Sequence, residues 1–132
     1  MIRTFIDSDV LIYAARGSSD KATRAMEILL DESRSFVSSV FVQLEVLPKS
    51  LYERRKMEAS FYETFFDRVE TWVPPSSLLI ETSFELARTF GLAAMDALHI
   101  AAARSAKVEQ FITGERPTSP VFRVTGIPII SL

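Results

Sequence analysis

Cysteine is absent from this chain, and histidine occurs once. The first absence excludes disulfides and thiolate metal sites; the second excludes a zinc centre built from several imidazoles. Net charge is small, −2 from 15 basic and 17 acidic residues. A general polyanion binder is therefore excluded, and any contact with nucleic acid has to come from a local basic patch. No apolar run reaches the length of a membrane span, and the N-terminus passes straight into a strand with no signal peptide. The expectation is a cytoplasmic protein with no membrane association. Internal repeats, linkers and low-complexity stretches are also lacking. What remains is ordinary globular composition, 48% hydrophobic and 24% charged, which rules out disorder. Over 132 residues it predicts one domain, 1–132, with a proper core.

Strand and helix patterns alternate along the chain. Ile2 to Ile6 reads as a short strand ending at Asp7. "SSDKATRAMEILLDES" places Ala22, Ala25, Met26, Leu29 and Leu30 on one helical face, with Ser18, Ser19 or Asp20 as its cap. "SFVSSV" is a second strand, and "FVQLEVLPKSLYE" a helix kinked or broken near Pro48. "KMEASFYETFFDRVE" is an amphipathic helix with Phe61, Phe65, Phe66 and Val69 inward. "TWVPP" is a strand stopped by prolines. "SSLLIETSFELARTFG" has the serine start and glycine stop of a helix, and "LAAMDALHIAAARSAK" is an alanine-rich helix. "EQFITG" and "IPIISL" are the last strands. This alternation predicts an α/β three-layer sandwich with a mainly parallel central sheet. Trp72 and the phenylalanines from Phe61 to Phe66 belong to its core or to a dimer face.

In such sheets chemistry collects outside the carboxyl ends of the strands. Asp7 ends the first strand and Glu115 lies just past "QFIT", so both point to one crevice. Glu45 and Asp96 sit on largely apolar helical segments, where an unpaired carboxylate is costly. Each acid alone fits a plainer role: Asp7 an Asx-turn, Glu45 a polar helix face, Asp96 a helix cap, Glu115 a solvated turn beside Arg116 and Pro117. The four together are more specific. Hard oxygen ligands in one cleft suit Mg²⁺ or Mn²⁺, which need few protein ligands and keep waters for a phosphate substrate.

The order "FIDSDVLIYA", "FVQLEVL", "LAAMDALHIAAA", "FITGE" resembles the PIN domain, found in metal-dependent ribonucleases and in the toxin halves of VapBC-type toxin–antitoxin pairs. The resemblance spans almost the whole chain, including the closing "IPIISL". Carried over by position, it implies that Asp7, Glu45, Asp96 and Glu115 are the catalytic acids, with Asp7, Asp96 and Glu115 holding the Mg²⁺ or Mn²⁺. Thr113 stands in the place of a supporting hydroxyl. Glu115 replaces the aspartate more usual in the family, and Asp9 replaces asparagine or serine as a supporting acid. "VLIYAA" after Asp9 indicates that the chain turns into a helix there, which would swing Asp9 away from Asp7. The implied activity is hydrolysis of single-stranded or structured RNA; the implied partners are an antitoxin protein and a second copy in a homodimer. Arg54, Arg55 and Lys56 beside Tyr52, with Arg116 and Arg123, are candidate RNA contacts, although "YERRK" fits a solvated turn equally well.

Two other functions fit parts of the pattern. The same fold with a weakened metal site would serve as a nucleic-acid-binding or protein-binding module, a reading motivated by Glu115 and by the unusual segment "ERPTSPVFRV". "FIDSDVL" also matches the opening of haloacid-dehalogenase-like phosphatases, with Asp7 as nucleophile and Asp9 as general acid. The nineteen residues after Thr113 hold no lysine and no aspartate, so that chemistry has no room for its remaining parts. His99, on an alanine-rich helix, fits a packed or hydrogen-bonded histidine better than a catalyst.

Overall fold

The structure is a computed structural model that describes all of residues 1–132. Five strands, β1 (Ile2–Ile6), β2 (Arg34–Ser39), β3 (Thr71–Val73), β4 (Gln110–Thr113) and β5 (Ile129–Ser131), form one sheet in the order β3-β2-β1-β4-β5. Every pairing is parallel, so the mainly parallel sheet expected from the sequence is entirely so. Helices α1 (Ser8–Arg16) and α2 (Asp20–Leu29) join β1 to β2. Helices α3 (Val40–Tyr52) and α4 (Lys56–Asp67) join β2 to β3, and α5 (Ser77–Phe90) and α6 (Ala94–Ser105) join β3 to β4. The first two connections step one way along the sheet and the third returns, so by the right-handed rule for parallel crossovers the first four helices cover one face and the last two the other.

Consecutive residues Phe5 and Ile6 are both fully buried, as are Phe36 and Val37, and Phe111 and Ile112. Runs of this kind mark strands covered on both faces. Phe5 stacks on Phe111 across the ladder, with ring centroids 5.4 Å apart. Ala97, Ala101, Ala102 and Ala103 of α6 are buried; their small side chains let that helix pack closely. Helix ends follow the sequence signals. Ser19 caps α2 by accepting from the Ala22 amide, and Ser76 caps α5 by accepting from that of Leu79. Gly91, at φ 69°, ends α5 in the left-handed conformation that only glycine adopts freely.

Two details differ from the sequence reading. Helix α3 runs unbroken through Pro48. Pro48 and Leu44 are both exposed, so the carbonyl that loses its helical partner faces water and the usual cost is reduced. Phe65, Phe66 and Val69 are buried as expected, but Tyr62 is buried more completely than any of them. Trp72 is 40% exposed on edge strand β3, where it leans on Phe66.

The strand order creates the crevice. From β1 the chain moves towards β2 and β3, then returns to β4 on the other side and continues to β5. Connections leaving β1 and β4 therefore part in opposite directions and leave a gap at their carboxyl ends.

Candidate active site

Asp7 is the first residue past β1 and the N-cap of α1. Its amide donates to the Ile112 carbonyl at 2.9 Å, tying β1 to β4. Its Oδ1 accepts the Ser8 amide at 2.8 Å, and its Oδ2 accepts the Thr113 hydroxyl at 2.8 Å. Thr113 Oγ1 accepts the Glu115 amide at 3.1 Å, which commits its own proton to Asp7. Asp9, in the first turn of α1, accepts the Gly114 amide at 3.0 Å. Adjacent groups at the end of β4 thus hold both aspartates. The helix after Asp7 does form, but Asp9 is not swung away, because the Gly114 amide draws its carboxylate to the same strand end.

Glu45 of α3 accepts the Ser8 hydroxyl at 2.8 Å through Oε1 and meets His99 Nε2 through the same oxygen. His99 is buried and its Nδ1 has no partner. An unpaired acceptor costs less than an unpaired buried N–H, so the ring proton belongs on Nε2, where it is donated to Glu45. His99 is thus the hydrogen-bonded histidine expected from the sequence. Asp96 lies in the first turn of α6 and is no cap: the N-cap is Ala93, without a side-chain bond.

Burial pushes the Asp7 carboxyl up to about 7; neighbouring Asp9 adds to the rise, while His99 and the Thr113 hydroxyl oppose it. Asp9 is also raised by burial, against the Gly114 hydrogen bond and with help from Glu115 and Asp96. Asp96 is raised by burial, then by Glu115. Glu45 is lowered, chiefly by its hydrogen bond from His99. Asp7, Asp9 and Asp96 are thus each raised in part by neighbouring carboxylates, and no lysine or arginine is ion-paired with any of them or with Glu115.

No trio of acidic or histidine side chains is drawn together tightly enough to chelate an ion as it stands. The donors around Asp7 are nevertheless all oxygen and lack a neutralising cation. That chemistry fits a hard divalent ion held by one or two carboxylates and several waters.

The basic candidates are scattered. Arg54 and Arg55 lie in the turn after α3 and Lys56 begins α4, nine to eleven residues beyond Glu45, and Arg55 pairs with Glu53 at 2.8 Å. At about 1.5 Å of rise per residue, the half of α3 that follows Glu45 separates them from that acid. Arg123 donates to the Phe90 carbonyl at 3.1 Å, a structural role at the end of α5. Arg116 is exposed beside Glu115. Two residues escaped the sequence reading. Ser8 was in view between two aspartates, but nothing marked its tie to Glu45. Lys21 donates to the Gly114 carbonyl at 2.9 Å, a contact across 93 positions that no local pattern shows. A depression of about 750 Å³ between α5 and α6 is lined by groups such as Leu78, Leu86 and Arg104 and contains none of these acids.

The PIN domain family profile matches residues 4–116, and no curated protein matches the sequence. Among solved structures the chain is similar to VapBC2 from Rickettsia felis bound to a promoter DNA fragment, with TM-score 0.76 and 14% identity over 99% of both chains. A toxin–antitoxin complex from Klebsiella pneumoniae gives 0.69 and 20%, over 97% of this chain and 96% of the other. The sarcin-ricin loop cleaving toxin VapC20 of Mycobacterium tuberculosis gives 0.64 and 17%, over 82% and 86%. Identities this low speak for the shared fold.

Proposed function

The chain belongs to the PIN domain family, and on that premise we propose that it is a Mg²⁺- or Mn²⁺-dependent endoribonuclease, the toxin of a toxin–antitoxin pair. One observation carries the reading. The buried Asp7 and its neighbour Asp9 are held at the end of β4 by the Thr113 hydroxyl and the Gly114 amide, and neither is ion-paired with a lysine or arginine.

In this reading Asp7, Asp96 and Glu115 hold the ion, and Glu45 completes the acidic set. The ion would lower the pKa of a bound water and offset charge on the phosphoryl oxygens. The chain's own residues set the geometry. Thr113 and the Ser8 amide fix the Asp7 carboxylate, the Gly114 amide fixes Asp9, and Ser8 with His99 fixes Glu45. Arg116 is the nearest of the basic candidates to the acids; Arg54, Arg55 and Lys56 would meet only a distant part of a long RNA.

An antitoxin partner is proposed from the solved toxin–antitoxin complexes that share the fold, and a homodimer from the exposed Leu78, Ile80 and Phe84 of α5. No helix is long and apolar enough to cross a membrane; we place the activity in the cytoplasm, with its RNA substrate.

The deciding experiment incubates the protein with single-stranded and structured RNAs in Mn²⁺ or Mg²⁺. Cleavage that EDTA abolishes, with no turnover of a small phosphomonoester, is the expected result. The lack of a preformed chelating trio favours a second reading, a binding module. Its signature would be RNA or protein binding without cleavage at any metal concentration, and that outcome would sink the nuclease.

A further inference from the structure

Beside the acids lies a cavity of about 490 Å³ lined by Asp9, Tyr13, Lys21, Glu115, Arg116 and Ser119, among others. It shares Asp9 and Glu115 with the acidic group, so the two are continuous. We infer that this cleft binds the RNA phosphodiester adjoining the one cleaved, and that Lys21 is its phosphate contact; the inference rests on the ribonuclease reading above and extends it to substrate positioning.

Lys21 is held in place. Its Nζ donates to the Gly114 carbonyl at 2.9 Å and lies 5.2 Å from the centre of the Tyr13 ring. An ammonium on a flexible stem normally loses much freedom when it binds an anion; here that ordering is already in place. The carbonyl takes only one of its three donors. Neither Lys21 nor Arg116 is ion-paired, so both charges are available to a ligand.

The floor of the cleft depends on Gly114. A Cβ there would lie 2.6 Å from Tyr13 Cε2 and 3.0 Å from Asp9 Oδ2. Absence of a side chain lets α1 close on the end of β4, and that approach brings Tyr13 and Lys21 beside the acids. An isolated acidic crevice repels RNA. Two unpaired cations on its rim, one fixed by a carbonyl and an aromatic face, give a polyanion a favourable approach on this side.

The ligand chemistry is a phosphodiester in single-stranded RNA, because the cleft adjoins the proposed hydrolytic centre and offers charge with no apolar pocket for a protein side chain. Phosphate contacts of this kind set affinity and register without reading sequence.

The test uses the full chain carrying Asp96→Asn, so that binding is measured without cleavage, and a fluorescein-labelled single-stranded oligoribonucleotide followed by anisotropy. Adding Lys21→Met should weaken binding about tenfold and reduce the slope of log affinity against log salt by about 0.7, the value for one lost phosphate contact on a single strand. Lys21→Arg should restore the slope. Tyr13→Phe should bind like the parent, because it keeps the ring face, and Tyr13→Leu should fall between the parent and Lys21→Met. In the chain without Asp96→Asn, Lys21→Met should raise KM more than it lowers kcat. RNA binding by the parent with an unchanged affinity and slope in Lys21→Met would overturn this inference and leave the ribonuclease reading standing. RNA binding that depends on Lys21, with no cleavage by the chain retaining Asp96, would overturn the ribonuclease and keep the cleft. Failure of the parent to bind RNA would overturn both.

Discussion

The hydroxyl of Thr113 donates to Asp7 Oδ2 at 2.8 Å across the β1–β4 ladder, and both residues are buried. One short-range bond therefore links the sheet to the acid on which the proposed chemistry depends. Thr113→Val keeps the shape and removes the donor. It should lower the melting temperature by several degrees, since a bond to a charged acceptor contributes about 1.5–3 kcal/mol. It should also reduce RNA cleavage by about tenfold to a hundredfold, the usual cost of losing an orienting partner. Thr113→Ser should retain most of both. Equal activity in Thr113→Val and the parent would remove Thr113 from the site.

Stability without metal should depend on pH in a specific direction. Asp7 titrates at about 7 in the fold against an ordinary 3.8, so the folded state holds its proton more tightly than the unfolded chain. Its contribution is fully present below about 4 and is lost as pH rises through about 7. Asp9 and Asp96 are shifted in the same direction. Glu45 is shifted the other way, so its contribution is lost as pH falls. In EDTA the urea midpoint of the parent should fall between about pH 5 and pH 7.5, and that of Asp7→Asn should fall less. Parallel curves for the two proteins would show that Asp7 is not so perturbed.

Mn²⁺ or Mg²⁺ should raise the melting temperature of the parent, because an ion that binds only the folded state stabilises it by about 2.7 kcal/mol at a hundred times its Kd. Asp7→Asn and Asp96→Asn relieve repulsion, so both should melt higher than the parent in EDTA and respond less to metal. The same metal response in all three proteins would argue against these ligands.

Asp7 and Asp9 should differ in kind. Asp7→Asn should abolish RNA cleavage. Asp9→Asn keeps an oxygen for the Gly114 amide and removes a charge facing Asp7, so it should keep or improve cleavage, whereas Asp9→Ala should lose part of it. Loss in Asp9→Asn as deep as in Asp7→Asn would make Asp9 an essential acid.

His99 should act through Glu45. His99→Gln retains an N–H that can reach Glu45 Oε1, whereas His99→Leu leaves that oxygen to Ser8 alone. Cleavage should fall about tenfold or more in the leucine variant and less in the glutamine variant. Comparable activity in both would reduce His99 to a packing role.

The sheet was legible because every strand is a short apolar run between turn signals, and the helices because their faces repeat at helical spacing. The acids were legible as strand-end and apolar-helix carboxylates. Their hydrogen bonds were not, because Ser8 to Glu45, Thr113 to Asp7 and Lys21 to Gly114 span 37, 106 and 93 positions. The basic cluster Arg54–Lys56 stood out for the opposite reason. Adjacent charges stand out in a sequence, but what matters is which end of α3 carries them. That α3 is not broken at Pro48 was not legible, because the cost of a proline depends on whether the freed carbonyl meets water, which only the folded surface decides.

The placement of β1 at the middle of the sheet has a consequence for the timing of synthesis. Asp7 is made well before its partners, because its amide and carboxylate bind Ile112 and Thr113, over a hundred positions later. Contacts of such long separation close late and slowly. A nascent chain that has not yet produced β4 therefore has neither the crevice nor Glu115. In the ribonuclease reading, the ribosome translating this chain, itself made of RNA, is spared cleavage until β4 and Glu115 have emerged.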